Sequence, residues 1–487
     1  MAIYRILPRR RQGGVTALMF IMILMGLLVF SGMALDLALV QYRRQELDLA
    51  ARTVAVAAAQ QLNGKTGGID NALVKGAEAL ADLRYRYGAR RLAWRDDMLS
   101  FGATPTGGWH SADAARAAAA GLLFVRADTG KLDAAVGSVT LFIIRLLHSS
   151  MQSVAVAATA VAGRSGIDVM PLAVCAMSEA AGAKRLNAGP PATVELVEYG
   201  FRRGVAYDLM QLNPDGIVPV SFVIHPTLAA GQAGGSGVAN GLSDAVVGPH
   251  VCTGQLGITT LQGGKVMVAQ PFPLAALYRQ LNSRFAQYEN NLCTAATAVV
   301  DRNSRPYLRD SGVPWMAATP NEQGAQVTTT GGKRRTIADL SPAPAGTDPK
   351  AYGPLWAFAR AVPFSEWTDG VDEPAAGYAT FGAGDWASLY APGAPAAKNY
   401  PGTIPYQSTS GTNFQAPSLV QKGVTNRRVL NVPLLACPVA AGGPEPATVL
   451  AIGKFLMTVP ATPTTLYAEF GGLVPEHTLG GPVELYR

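Results

Sequence analysis

The sequence predicts an α+β protein: a long N-terminal transmembrane helix continuing into a small α/β module, followed by a β-rich, loop-rich domain. Three observations carry this reading. Residues 13–35 form an apolar run without a charge. Residues 36–62 follow with no glycine or proline. Beyond about residue 165, short β-type runs alternate with Gly, Pro and Asn turns.

The apolar run comes first in the chain and governs the rest. About 20 helical residues at 1.5 Å each cross a hydrocarbon core roughly 30 Å thick. Arg5, Arg9, Arg10 and Arg11 precede the run, whereas Arg43 and Arg44 come only after it. The positive-inside bias therefore makes residues 1–14 a basic cytoplasmic tail, 15–36 the membrane span and the remainder exported. Gly32, Met33 and Ala34 would suit a signal peptidase. The run is longer than a signal-peptide core, however, and its helix continues, which favours a retained anchor. Leu35, Leu39, Tyr42, Leu49 and Val56 recur near the helical period. One helix over 15–62 would reach roughly 70 Å.

Residues 37–165 hold this extension and a mixed module. A helix is expected over 70–87, capped by Asp70 or Asn71, with Leu73, Ala77, Leu80 and Leu83 on one face. Strands are expected over 92–101, 121–126 and 153–162, and a helix over 139–148. Residues 166–487 make the β-rich domain, with strands over 194–199, 217–224, 265–269, 429–435 and 449–459. One helix, 273–288, carries Leu274, Leu277, Leu281 and Phe285 in register. The Pro/Gly-dense stretch 301–421 keeps Trp315, Trp356, Trp367 and Trp386, which argues for an ordered lobe.

Four cysteines, Cys175, Cys252, Cys293 and Cys437, lie in the exported part and form no C-x-x-C pair. They permit two disulfides in any of three pairings. The net charge of +7 draws partly on the N-terminal arginines. The other basic clusters are short and lack interleaved aromatics, so no nucleic-acid partner is expected.

The chemistry-bearing residues do not converge. His110, His148, His225, His250 and His477 are isolated, with no metal-ligand spacing. Residues 234–238 miss the last glycine of a G-x-S-x-G elbow. The Gly-Gly-Lys runs at 263–265 and 331–333 lack the rest of a phosphate loop and read as turns. Glu195 and Glu198 fall on opposite faces of a strand. Asp372 and Glu373 sit in a Gly/Pro loop and are expected to be solvated. No catalysis, metal or cofactor is expected.

Several segments together resemble a known family. Gly13-Gly14-Val15-Thr16-Ala17-Leu18 opens the apolar span, and Asp36-Leu37-Ala38-Leu39-Val40-Gln41-Tyr42-Arg43 closes it. Leu47-Asp48-Leu49-Ala50-Ala51-Arg52-Thr53-Val54-Ala55 follows. This arrangement resembles the pilus-assembly proteins of the tight-adherence (Tad, Flp-type) system. Met170-Pro171-Leu172-Ala173-Val174-Cys175 and the run from Arg428 to Cys437 resemble segments of the longer, TadG-like members. So do 449–459 and Leu466-Tyr467-Ala468-Glu469-Phe470. Three positions depart from the family pattern. Met19 stands where processed pilins carry glutamate, and Arg52 where aspartate is usual. Asp339-Leu340-Ser341 begins a D-x-S-x-S metal pattern that fails at Ala343.

The resemblance implies a pilin-like α/β module and a non-catalytic structural or assembly role, as a minor pilin or pseudopilin-like subunit. The protein would sit in the bacterial inner membrane, N-terminus cytoplasmic and C-terminal domain periplasmic, or join the surface pilus. Its partners would be other pilins or pseudopilins, inner-membrane platform proteins and membrane lipid. Small residues Gly26, Gly32, Ala34 and Ala38 would serve lateral helix packing. Asp36 is either a boundary marker or the partner of a basic residue on a neighbouring helix. The competing reading is a membrane-anchored exported carbohydrate-binding protein or hydrolase, with the aromatic, Gly-rich lobe as its site.

Overall fold

A computed structural model describes residues 13–62, 64–85, 88–119, 121–148, 150–228, 240–258, 261, 264–289, 292–307, 323–394, 403–418, 422–441 and 444–486. The basic tail, Trp315, the 234–238 glycine run and Gly263 lie outside these residues. The chain divides into two compact units, one of 13–164 with 483–486 and one of 165–482. The last strand of the chain returns to the first unit.

In the first unit, α1 (Gly13–Ala59) is one unbroken helix of 47 residues. No proline interrupts its hydrogen-bond ladder, and alanine, the best helix former, fills its last turns. Its two halves differ in burial. From Val15 to Leu28 the side chains are exposed, whereas Leu47, Ala50, Ala51, Val54, Ala55, Ala58 and Ala59 form a buried stripe. That stripe packs with Ile69, Ala72, Leu73 and Leu80 of α2 (Thr66–Asp82) in one core cluster. The second helix starts four residues before the expected cap. Gly64, at φ +72°, takes the turn, while Gly67 and Gly68 join helical turns. Asp70 caps nothing and instead meets Arg116 at 2.8 Å.

Short elements complete this unit. They are β1 (Arg84–Tyr85), β2 (Arg90–Arg91), β3 (Leu99–Gly102), α3 (Ala112–Ala117) and β4 (Phe124–Asp128). Then come α4 (Ala134–Gly137), β5 (Ser138–Thr140), α5 (Ile144–Leu147), β6 (Ser153–Ala155) and β7 (Thr159–Arg164). The C-terminal strand Val483–Tyr486 pairs antiparallel with β7, which pairs with β4, which pairs with β3. The inner half of α1 shares its core cluster with Val125, Ala127, Ala160 and Ala162 of this sheet. Gly163 sits opposite Phe124, whose ring lies where a Cβ would be.

Several expectations fail here: the strand over 92–101 begins only at Leu99, after a 3-10 turn over Asp96–Met98, and the helix expected to reach 87 ends at Asp82. The helix over 139–148 is instead β5 followed by the four-residue α5. The strand over 153–162 breaks into β6 and β7, because Ala158 and Thr129 exchange hydrogen bonds that end the ladder.

The second unit contains β8 (Leu172–Cys175), β9 (Ala183–Asn187), β10 (Thr193–Glu198), β11 (Phe201–Arg202), β12 (Ala206–Asp208) and β13 (Phe222–Ile224). It continues with α6 (Asp244–Thr253), β14 (Lys265–Ala269), α7 (Leu274–Asn282), β15 (Val327–Thr330), β16 (Lys333–Thr336) and α8 (Trp386–Leu389). The last strands are β17 (Val429–Leu435), β18 (Glu445–Met457) and β19 (Tyr467–Leu473). Strand β18, 13 residues long, pairs β14 through its first part and β17 through its middle. Since β14 pairs β13, β13 pairs β8, and β8 runs parallel to β17, these five strands close into a ring. Closure leaves none of the five with an unpaired edge along its whole length. Strands β19 and β12 extend the sheet from the far end of β18.

Around this sheet lies an aromatic core. Trp356 and Trp386 are fully buried and meet edge to face at 4.8 Å, and Trp356 donates its ring N–H to the Tyr390 hydroxyl at 2.7 Å. Phe201 sits against Phe455 and Phe470. Helix α6 escaped the sequence reading because Pro249 lies inside it. Helix α7 stops earlier than expected, at Asn282, and passes into a 3-10 turn that ends at Ala286 in the left-handed region. Strand β13 loses residues 217–221, where Pro219 interrupts and Ile217 and Val218 face outward.

Candidate functional site

The helix residues named for membrane packing, Gly26, Gly32, Ala34, Asp36 and Ala38, do not all lie on one face of α1. At about 100° per residue, Gly32 and Asp36 point one way and Ala34 and Ala38 point nearly opposite. Gly26, Ala34 and Ala38 are exposed, and nothing approaches Gly26 within 4 Å. Gly32 and Asp36 are buried by the protein's own chain. A Cβ on Gly32 would lie 2.4 Å from Ile143 Cγ1, so only glycine admits that side chain.

Asp36 does more than mark a boundary. Its carboxylate accepts hydrogen bonds from the backbone N–H groups of Phe142, Ile143 and Ile144, each at 2.8 Å. Ile143 is the N-cap of α5 and Ile144 its first residue, so two of these amides are among the N–H groups that a helix start leaves without an internal partner, and the Phe142 amide just precedes them. The carboxylate there satisfies those donors. Within this chain the groups that meet the carboxylate are three backbone amides. A lone aspartate ending an apolar run signals a polar partner, but nothing in the sequence says that it lies 106 to 108 residues later.

Further along α1, Arg52 pairs with Asp48 at 2.9 Å, one helical turn away. Arg43 pairs with Glu46 at 3.1 Å and lies over the Tyr85 ring. The cation at position 52 therefore has a local use on the helix surface.

In the second unit, both disulfides form: Cys175–Cys437 and Cys252–Cys293, with Cα atoms 5.7 and 5.5 Å apart. The first joins the end of β8 to the residue two beyond β17, and so fastens the one parallel pairing that closes the ring. The second ties α6 to the loop after α7. Disulfides persist in oxidising compartments and thus fit an exported domain.

The carboxylates singled out from the sequence are structural. Glu195 binds Arg202 through two hydrogen bonds of 2.9 and 2.6 Å, with Arg185 at 3.7 Å. Glu198 binds Arg203 in the same manner. The opposite faces expected for Glu195 and Glu198 are matched by consecutive arginines one hairpin away. Burial works against the Arg202 charge, but Glu195 outweighs it and raises the pKa. Arg185 is pushed down to about 10 by burial and by the nearby Arg202 charge. Glu373 is not solvated as expected, because it closes on Arg203 at 2.9 Å. Asp339 is half-buried and accepts from the Tyr207 hydroxyl and the Thr336 backbone and hydroxyl, a structural role. Glu469, fully buried, accepts from the amides of Ala357, Phe358 and Ala359, yet burial pushes its pKa up to about 7.

Among the described residues no three His, Cys, Asp or Glu side chains gather as a metal would need. His250 bonds to the Gln255 carbonyl, His148 to Ser150, and His225 accepts from the Thr227 and Leu228 amides. Gly331 and Gly332 form the tight turn between β15 and β16, both at positive φ, as a turn reading requires. A recess of about 410 Å³ is lined by Asp168, Met170, Gly254, Arg284, Arg427 and Asn431 among others. Arg284 is buried there and donates to the Val251 carbonyl and the Met170 sulfur, with no carboxylate in hydrogen-bonding reach among the described residues. Burial and the Arg427 charge drive its pKa far down. The buried tryptophans of the Gly-rich lobe, Trp356 and Trp386, are core residues and present no face to a sugar.

No protein-family model, curated protein or solved structure significantly matches this chain.

Proposed function

We propose that this chain is a non-catalytic structural or assembly component of a tight-adherence-type pilus, held in the inner membrane by α1. The observation that carries the reading is the division of labour along that helix. Its outer half is apolar, uncharged and exposed, long enough to cross a bilayer. Its inner half is the spine of a small α/β unit. A helix shared in this way between lipid and a compact head suits a pilin-like subunit, in which lateral helix contacts do the work. Gly26, Ala34 and Ala38 remain available on its surface for close approach by pilins, pseudopilins or platform helices. The two disulfides support a periplasmic placement of the second unit.

Deleting the gene and imaging surface pili, together with an adherence assay, tests the role. Loss of pili or adherence, restored by the intact gene, is expected; normal pili and normal adherence would sink it. Protease treatment of spheroplasts tests orientation, and a second unit protected until the membrane is permeabilised would reverse it.

A further inference from the structure

The segment fastened to Asp36 is unusual in what it exposes. Residues 141–154 run Leu-Phe-Ile-Ile-Arg-Leu-Leu-His-Ser-Ser-Met-Gln-Ser-Val. Phe142, Leu146, Leu147, Met151 and Val154 all face outward, Leu146 at 76% exposure. Water-facing helices of four residues seldom carry three large apolar side chains, and an exposed apolar cluster marks an interaction surface. From Ala134 to Ile167 there is no aspartate or glutamate, while Arg145 is exposed beside the cluster.

Position along α1 identifies what covers this surface. Asp36 lies about 30 Å up the helix from Val15 at 1.5 Å per residue, level with the far edge of the hydrocarbon core. Ile143 touches Gly32, about 6 Å deeper. The apolar tip is therefore seated at the depth where acyl chains give way to headgroups. At the same level of α1, Met33, Leu35 and Leu37 are themselves exposed apolar side chains.

We infer that residues 142–148, with Met151, form a second, interfacial membrane contact. The tip dips alongside the anchor helix into the outer boundary of the bilayer, with Phe142, Leu146, Leu147 and Met151 in the acyl region and Arg145 at the phosphates. Amphipathic segments bury their apolar face about 5–10 Å into this boundary, the depth that Gly32 and Asp36 impose. Asp36 and Gly32 then act as positioning residues: one holds the amides of the tip, the other admits Ile143. The contact would fix the rotation and tilt of α1, which a lone apolar helix leaves free.

The inference rests on reading α1 as the membrane anchor, and the test separates the two. The native cysteines are all in disulfides. A single added cysteine, Ile23→Cys, Leu146→Cys, Met151→Cys or Val74→Cys, can therefore be labelled with an environment-sensitive fluorophore in the oxidised full chain. The labelled proteins are reconstituted in phosphatidylethanolamine/phosphatidylglycerol vesicles carrying nitroxides high or low on the acyl chain. Labels at 146 and 151 are expected to be quenched at least about twofold more by the shallow nitroxide than by the deep one. The label at 23 should be quenched best by the deep one, and the label at 74 by neither. If 23 is quenched while 146 and 151 behave like 74, the tip faces water or another protein and the inference fails with the anchor intact. If 23 is not quenched either, both readings fall.

Discussion

Replacing Asp36 with alanine probes the joint between anchor and head most directly. The side chain is buried and accepts three backbone N–H groups at 2.8 Å. A hydrogen bond to a charged acceptor contributes about 1.5–3 kcal/mol net, and the three share one acceptor, so their sum is not additive. Part of the loss is recovered by water reaching the freed amides. A local cost of about 3 kcal/mol follows, or roughly a hundredfold in the opening equilibrium of the 142–144 segment. Hydrogen exchange of the detergent- or nanodisc-embedded full chain reads that opening at the amides themselves. Peptides covering 142–144 should lose about two orders of magnitude of protection in Asp36→Ala, and less in Asp36→Asn, which keeps one carbonyl acceptor. Peptides from the β8–β18 ring serve as the internal reference and should not change. Equal protection of 142–144 in wild type and Asp36→Ala would refute the argument that this carboxylate holds the segment.

Three further outcomes follow from the second unit. The Cys175–Cys437 bridge spans 262 residues and Cys252–Cys293 spans 41, so loop-closure entropy makes the first the more stabilising by about 1.6 kcal/mol. Paired Cys→Ser variants compared by denaturant unfolding should rank in that order, and the reverse ranking would contradict the ring-closure argument. Glu469 has its pKa raised from 4.5 to about 7 by burial, so the folded state keeps a proton that the unfolded state releases. Its stabilising share is whole below pH 4.5 and drains away as pH rises through 7, on the order of 3 kcal/mol in all. Glu469→Gln should flatten the pH dependence of Tm across that window; an unchanged slope would show that the carboxylate is already ionised at pH 5. Arg284, a buried cation with no carboxylate in hydrogen-bonding reach among the described residues, should tolerate Arg284→Met with little change or a gain of about 1–2 kcal/mol. A large loss of stability on calorimetry would mean that its carbonyl bonds outweigh the desolvation.

Some of this protein was decided locally and could be read without coordinates. The unbroken α1, the strands β14 and β17, the two-glycine turn after β15 and the change of texture near residue 165 all follow from periodicity, propensity and turn chemistry. Composition likewise permitted two disulfides. What failed were elements whose limits are set by distant partners. The 139–148 helix shrank to four residues because its N-terminus is held by Asp36, and β13 was cut short by a proline. The pairing of the cysteines was equally beyond reach, since it depends on a parallel contact between β8 and β17 about 260 residues apart.

The sequence alone thus determined that there is a helix able to cross a membrane and a disulfide-capable, β-rich body, because burial pattern and backbone propensity act over a few neighbouring residues. Only the tertiary structure decided what Gly32, Asp36, Glu195, Glu198 and Glu373 are for. Each is satisfied by a group that chain topology brings close: an isoleucine and three amides more than a hundred residues on for the first two, and the guanidinium groups of Arg202 and Arg203 for the glutamates. A buried polar group must find a partner, but its own sequence neighbourhood does not say which.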